Sequence, residues 1–182
     1  MIFPIVLYGD PILKKRAAYI DHGDDAIKEF INDLFETMYA AQGVGLAAPQ
    51  IGESLRLFVI DTNPMYNEDN KGLKSVFINA TMLEEIGEEQ TFEEGCLSIP
   101  GIRADVNRKP KIQIKYFDAD WKEHQDTFEN IEARVIQHEY DHIEGKLFTD
   151  HLTPFKKRLL KSKLANISKG KTDAEYRVRV PK

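Results

Sequence analysis

A chain of 182 residues with 42% hydrophobic and 30% charged residues has the make-up of one soluble globular domain with a proper core. No apolar run approaches the ~20 residues needed to cross a bilayer, and the opening Met1-Ile-Phe-Pro-Ile-Val-Leu-Tyr8 lacks a basic leader and a small-residue cleavage site, so a cytoplasmic protein without membrane partners is expected. The single cysteine, Cys96, excludes an intramolecular disulfide and leaves one thiol for ligation or catalysis.

Asp10-Pro11 reads as a turn opening a short helix through Lys14 and Arg16, because proline is well tolerated in a first helical turn. Asp24 or Asp25 then caps a helix to about Ala41, in which Ile27, Phe30, Ile31, Leu34, Phe35 and Met38 recur at helical spacing. Gln42-Gly43 ends it, since glycine stops helices easily. The following Gly43-Val-Gly-Leu-Ala-Ala-Pro-Gln50 is made of small residues that permit another backbone to approach closely, or that form a tight turn between helix and strand.

Leu55–Asp61 and Ser75–Asn79 read as strands joined by a polar connector over residues 63–72. Residues 84–94 form an acidic edge strand leading into Glu94-Gly-Cys-Leu-Ser98, where glycine and serine give the thiol an open setting. Lys111–Phe117 and Trp121–Phe128, on either side of Asp118-Ala-Asp120, make a hairpin. His22, His124 and His151 have no partner at ligand spacing and read as surface residues.

From Asn130 the pattern is helical again, with Ile131, Val135, His138 and His142 on one face and Gly145 as the stop. The segment Gln137-His-Glu-Tyr-Asp-His142 sets two imidazoles one helical turn apart, so that both can grip one ion, while Glu139 flanks its open side and can take a proton from water. A catalytic metal needs three protein ligands. The longer metallopeptidase pattern would continue to a histidine at 148, where the chain has Phe148; Glu144 is too close on the same helix, and Asp150 and His151 are weaker candidates than the Cys96 thiolate.

Thr153-Pro154 opens a last helix, with Phe155, Leu159, Leu160 and Leu164 along its buried side and lysines outward. From Pro154 onward there are ten Lys or Arg against only Asp173 and Glu175, in a chain of net charge −5. Such a block suits a solvated or rRNA-facing surface. Residues 168–182 are expected to form a poorly ordered basic tail on a domain of residues 1–167.

Three segments together, Gly43-Val-Gly-Leu-Ala-Ala-Pro-Gln50, Glu94-Gly-Cys-Leu-Ser98 and Gln137-His-Glu-Tyr-Asp-His142, closely resemble the three motifs of the peptide deformylases, in order and in separation. The resemblance covers roughly residues 1–165. It implies an α+β fold, with antiparallel and mixed sheets around a central metal-binding helix and a C-terminal helix. It also implies removal of the formyl group from N-formylmethionyl nascent peptides.

By the same resemblance Cys96, His138 and His142 hold a divalent ion, Fe²⁺ with Zn²⁺, Ni²⁺ or Co²⁺ as chemically acceptable substitutes. Glu139 is the general base and acid, and Gln50 with the Leu97 backbone N–H stabilises the oxyanion. Val44, Gly45, Ile131 and Val135 bind the peptide and its methionine side chain. Glu94 is expected to pair with Arg108 behind the ligands, and Arg134 departs from the apolar residue many relatives carry one turn before His138. Two rival readings are a zinc endopeptidase, and a non-catalytic ribosome-binding module with a structural metal. No DNA partner is expected.

Overall fold

The structure is a computed structural model that describes residues 1–68 and 71–182. Among the described residues three α-helices and nine strands alternate along the chain. They are β1 (Ile5–Val6), α1 (Ile27–Ala40), β2 (Gly45–Ala47), β3 (Leu57–Asp61), β4 (Lys74–Ile86), β5 (Gln90–Cys96) and β6 (Ile99–Arg108). Then follow β7 (Lys111–Phe117), β8 (Glu123–Glu129), α2 (Asn130–Ile143), α3 (Pro154–Ser168) and β9 (Val178–Arg179).

A five-stranded antiparallel sheet, in the order β2-β3-β4-β7-β8, forms the centre. All five residues of β3 are buried, because successive side chains point to opposite faces and both faces are covered. Leu57 and Val59 join Ile31, Leu34 and Met38 of α1 on one side. Phe58 and Ile60 join Ala133, Ile136 and Ile143 of α2 on the other. The helix carrying the two histidines is therefore seated on the sheet by its apolar stripe. The β5–β6 hairpin stands apart as a second sheet, and a parallel pair, β1 with β9, makes the third. This α+β arrangement is the one expected.

α1 stops before Gln42-Gly43, as read from the sequence, with Gln42 at φ 56° taking the left-handed turn, and the Asp24 side chain caps the N–H of Ala26 just ahead of the helix. Other boundaries differ from the sequence reading. β4 does not stop at Asn79. That residue adopts φ 52° at a register shift, and its side-chain amide binds both the N–H and the carbonyl of Ile20 at 2.9 Å, so the strand continues through the bulge. The expected single strand over residues 84–94 is broken at Gly87, whose φ of 98° turns the chain from β4 into β5. β6 was not anticipated. Of the connector over residues 63–72, positions 69–70 lie outside the described residues.

The C-terminal segment differs most. In α3, Leu160 is half-buried and Leu164 and Ile167 pack into the third core cluster, whereas Phe155 and Leu159 stand 67% and 65% exposed rather than buried. Residues beyond Ser168 do not form a poorly ordered tail: the chain returns along the N-terminal strand, pairing Val178 with Ile5 and Arg179 with Val6. The signal is the alternation of Thr172, Ala174, Tyr176 and Val178 with charged residues, a period of two that a count of charges hides.

Phe77 lies fully buried between Phe58, at 4.7 Å between ring centroids, and Tyr116, at 4.3 Å. Phe77→Ala is expected to cost ~3–5 kcal/mol through lost burial and the cavity left behind. Urea unfolding checks this, and a loss under about 1 kcal/mol would mean that the α2 side of the sheet is not the packed layer described here.

Candidate metal centre

His138 and His142 project from α2 one turn apart, with ring centroids 5.1 Å from each other. Cys96, the last residue of β5, meets them from the opposite wall, its Sγ lying 3.4 Å from His142 Nε2. One ligand atom from each of the three falls within 4.8 Å of the others. A tetrahedral ion with bonds of ~2.3 Å to sulfur and ~2.0 Å to nitrogen separates such atoms by ~3.5 Å, so the donor set fits a divalent metal. The sequence reading brought together these three residues, and the fold does bring them together.

The histidines differ in surroundings. His138 engages Glu94 Oε1 through Nδ1 at 2.9 Å, which leaves Nε2 facing the thiol. Burial works against its protonated form, but hydrogen bonds to Cys96 and Glu94 outweigh this and hold its pKa well above the ordinary histidine value. His142 is 1% exposed; burial and then the charge of His138 push its pKa well below the ordinary histidine value.

Glu94 is the buried hub behind the ligands. Arg108 donates to it from Nε at 2.7 Å and Nη2 at 3.0 Å, and Arg134 donates from Nη1 at 2.9 Å. Burial alone would raise the Glu94 carboxyl, but the bonds from His138 and Arg108 overcome that and hold it far below the usual carboxylate range. Arg108 also reaches Asp141 at 2.9 Å, and Asp141 meets His151 at 2.7 Å. The expected Glu94–Arg108 pair is present. The extension through Asp141 to His151 was missed, because its members are unremarkable singly.

Glu139 points into the same space. It is 4% exposed, its Oε2 has no partner among the described residues, and burial raises its pKa to about 7. Its carboxylate has room because residue 45 is glycine: a Cβ there would sit 2.5 Å from Glu139 Oε1. Gly43 makes way similarly for the Leu97 side chain. The glycines thus serve close approach by side chains, where the sequence reading expected another backbone.

Gln50, on the short 3₁₀ turn after β2, accepts the Ala47 N–H at 2.9 Å through Oε1. That bond turns its Nε2 toward Ser98 Oγ at 3.3 Å and the Cys96 thiol at 3.5 Å. A cleft of about 1150 Å³ opens over the site. Val44, Gly45, Ile131 and Val135 line it, and so do Gln50, Cys96, Leu97, His138 and Glu139, while His142 lies behind the wall. Arg134 also reaches the cleft, stacked 5.5 Å from the Phe92 ring and donating to the Gln90 and Val106 carbonyls at 2.6 and 3.0 Å. Its guanidinium closes the gap between α2 and the β5–β6 hairpin, and Phe92 is a cleft residue that sequence reasoning missed.

Two histidines, one thiol and a buried carboxyl group at the floor of an open cleft define a metal-dependent hydrolase of the His-Glu-x-x-His kind. A model described as polypeptide deformylase matches residues 2–158, and the chain belongs to that family. It is 58% identical over 181 residues to a peptide deformylase of Cytophaga hutchinsonii, covering 100% of this chain and 98% of that protein. It is 54% identical over 190 residues to one of Christiangramia forsetii, covering 100% and 97%. Among solved structures, a peptide deformylase from Legionella pneumophila superposes with a TM-score of 0.82 at 41% identity, covering 93% of this chain and 96% of that one. An Arabidopsis thaliana peptide deformylase in complex with an inhibitor gives 0.83 at 35%, covering 92% and 91%. The chain is accordingly an enzyme that removes the N-formyl group from nascent peptides.

The endopeptidase alternative fails at Phe148, which is 1% exposed and packs its ring 6.2 Å from that of His138 as part of the core. Glu94→Gln should keep the shape of the hub while removing its charge, and metal affinity should fall ~10- to 100-fold, as loss of such a supporting partner does. Chelator competition measures this; unchanged affinity would mean that the hub does not tune the ligands.

Proposed function

We propose that Cys96, His138 and His142 hold the catalytic ion, that Glu139 is the proton carrier, and that Gln50 Nε2 and the Leu97 backbone N–H bind the formyl oxygen. Val44, Gly45, Ile131 and Val135 hold the peptide and its methionine side chain. The observation that carries this reading is the convergence of three ligand atoms within 4.8 Å beside a buried carboxylate that has an oxygen free of partners among the described residues.

A divalent ion held by these three side chains supplies water activation and polarisation of the formyl carbonyl; we infer Fe²⁺, with Zn²⁺, Ni²⁺ and Co²⁺ compatible with the same donors. Glu139, with its pKa raised by burial to about 7, accepts a proton from water as the oxygen adds to the formyl carbon. Charge then develops on the formyl oxygen, where a fixed amide donor of the Gln50 kind is worth ~3 kcal/mol. As the C–N bond breaks, Glu139 returns the proton to the departing methionine nitrogen, and formate and a free amino terminus remain. An extended peptide lying along the β5 edge would be held by main-chain bonds, which suits a substrate whose later residues vary.

Substrates of this kind support a location beside the ribosome, in the cytoplasm. No helix among the described residues is long and apolar enough to cross a membrane. The exposed side of α3 carries Lys156, Lys157, Arg158 and Lys161 around Phe155 and Leu159, which supports a contact with rRNA.

Glu139→Ala should retain the metal and lose ~10²- to 10⁴-fold in kcat for formate release from a formyl-methionyl peptide, with acetylated peptide and casein as inert controls. Near-normal kcat would put the proton carrier elsewhere. Reversing Lys156, Lys157 and Lys161 to Glu should weaken ribosome co-sedimentation and its salt dependence while leaving hydrolysis of a short formyl peptide as before. Co-sedimentation that is unchanged and insensitive to salt would remove α3 from docking.

A further inference from the structure

The family match ends at residue 158, yet the chain beyond α3 comes back to line the substrate cleft. Gly170, at φ 78°, turns the backbone, and the following segment runs with Thr172, Ala174, Tyr176 and Val178 half-buried and the charged residues between them exposed. Main-chain bonds fix this strap: Ile5 N–H donates to the Arg177 carbonyl at 2.9 Å, and Leu7 N–H donates to that of Arg179 at 3.0 Å. The Arg179 guanidinium also lies directly over Gly52, where any Cβ would collide with it.

This register aims Tyr176 inward. Its ring packs against the α1-side core cluster, and its hydroxyl donates to the Leu97 carbonyl at 2.7 Å. The next carbonyl, that of Ser98, accepts the Tyr8 N–H at 2.8 Å. Leu97-Ser98 is the two-residue turn that follows Cys96 and joins β5 to β6. It is thus gripped from both ends of the chain, at the two peptide units that follow the one carrying the Leu97 N–H. Burial, and then the nearby Cys96 charge, raise the Tyr176 phenol to about 12, so it remains a donor through the neutral range.

We propose that Tyr176 is a positioning residue for deformylation, its hydroxyl holding the Leu97-Ser98 turn so that the Leu97 N–H stays aimed at the formyl oxygen. The inference rests on the reading of Gln50 and Leu97 as the donors to that oxygen. A donor held in place matters most when charge develops on the oxygen, so Tyr176 acts on kcat rather than on KM.

The test is Tyr176→Phe, which keeps the packed ring and removes only the hydroxyl. On formyl-Met-Ala-Ser, kcat should fall about tenfold at unchanged KM, a fraction of the ~10²- to 10³-fold lost when such a donor is removed outright. Metal content and melting temperature should match the parent. Gln50→Ala is measured beside it. If Tyr176→Phe keeps the parent kcat while Gln50→Ala loses it, Tyr176 has no positioning role and the donor reading stands. If both variants keep it, the donor reading has failed and takes the proposal with it. A fall in kcat that tracks lost metal or a lowered melting temperature would make the contact structural only, and would also overturn the proposal.

Discussion

The contact on which the site depends is the buried carboxylate of Glu94, shared among Arg108, Arg134 and His138. Cys96 comes from the β5–β6 hairpin and the two histidines from α2, elements in separate layers of the fold. Glu94 sits two residues before the thiol and binds the first histidine directly, so it ties the two walls together where the ligands must meet. A buried ion pair of this kind need not stabilise the fold by much, because desolvation offsets most of its attraction. Its contribution is registry: it fixes the His138 ring so that Nε2 faces Cys96, and removing one partner would leave a buried charge uncompensated.

Around that contact the layers are arranged so that polar chemistry can exist at the edge of a packed core. Leu57 and Val59 face α1 while Phe58 and Ile60 face α2, so β3 anchors both helices at once. α2 is then buried on its apolar stripe and open to the cleft along His138 and Glu139. The same burial that secures the helix raises the Glu139 pKa to about 7. Packing and the raised carboxyl pKa are two consequences of one placement, and Gly45 completes it by leaving the carboxylate unobstructed.

The parts of this arrangement that are local in sequence were legible in it. Apolar spacing marked α1 and α2, and the His-Glu-x-x-His interval put two ligands on one face, because helical periodicity depends only on near neighbours. The third ligand was not fixed by spacing; Cys96 stood ahead of Asp150 and His151 on ligand chemistry, and the resemblance to a family supported it. β4 was cut short because its path runs through a bulge at Asn79, which a tally of β-formers does not anticipate. β6 was hidden by Pro100 and Gly101 at its start and by the charged Arg103 and Asp105 on its open face. In α3 the exposed Phe155 and Leu159 overrode the simple rule that apolar stripes face inward, and the strap through Tyr176 was obscured by its charges. Tyr176 and Leu97 are 79 positions apart, and no local pattern announces such a contact.

The central claim is that one thiolate and two imidazoles hold the ion and leave it an open position. X-ray absorption at the metal edge of the loaded protein addresses it most directly. The account requires one sulfur at ~2.3 Å and two imidazole nitrogens at ~2.0 Å, the remaining coordination coming from light atoms exchangeable with solvent. A spectrum without a sulfur neighbour, or with a fourth protein ligand closing the site, would contradict it.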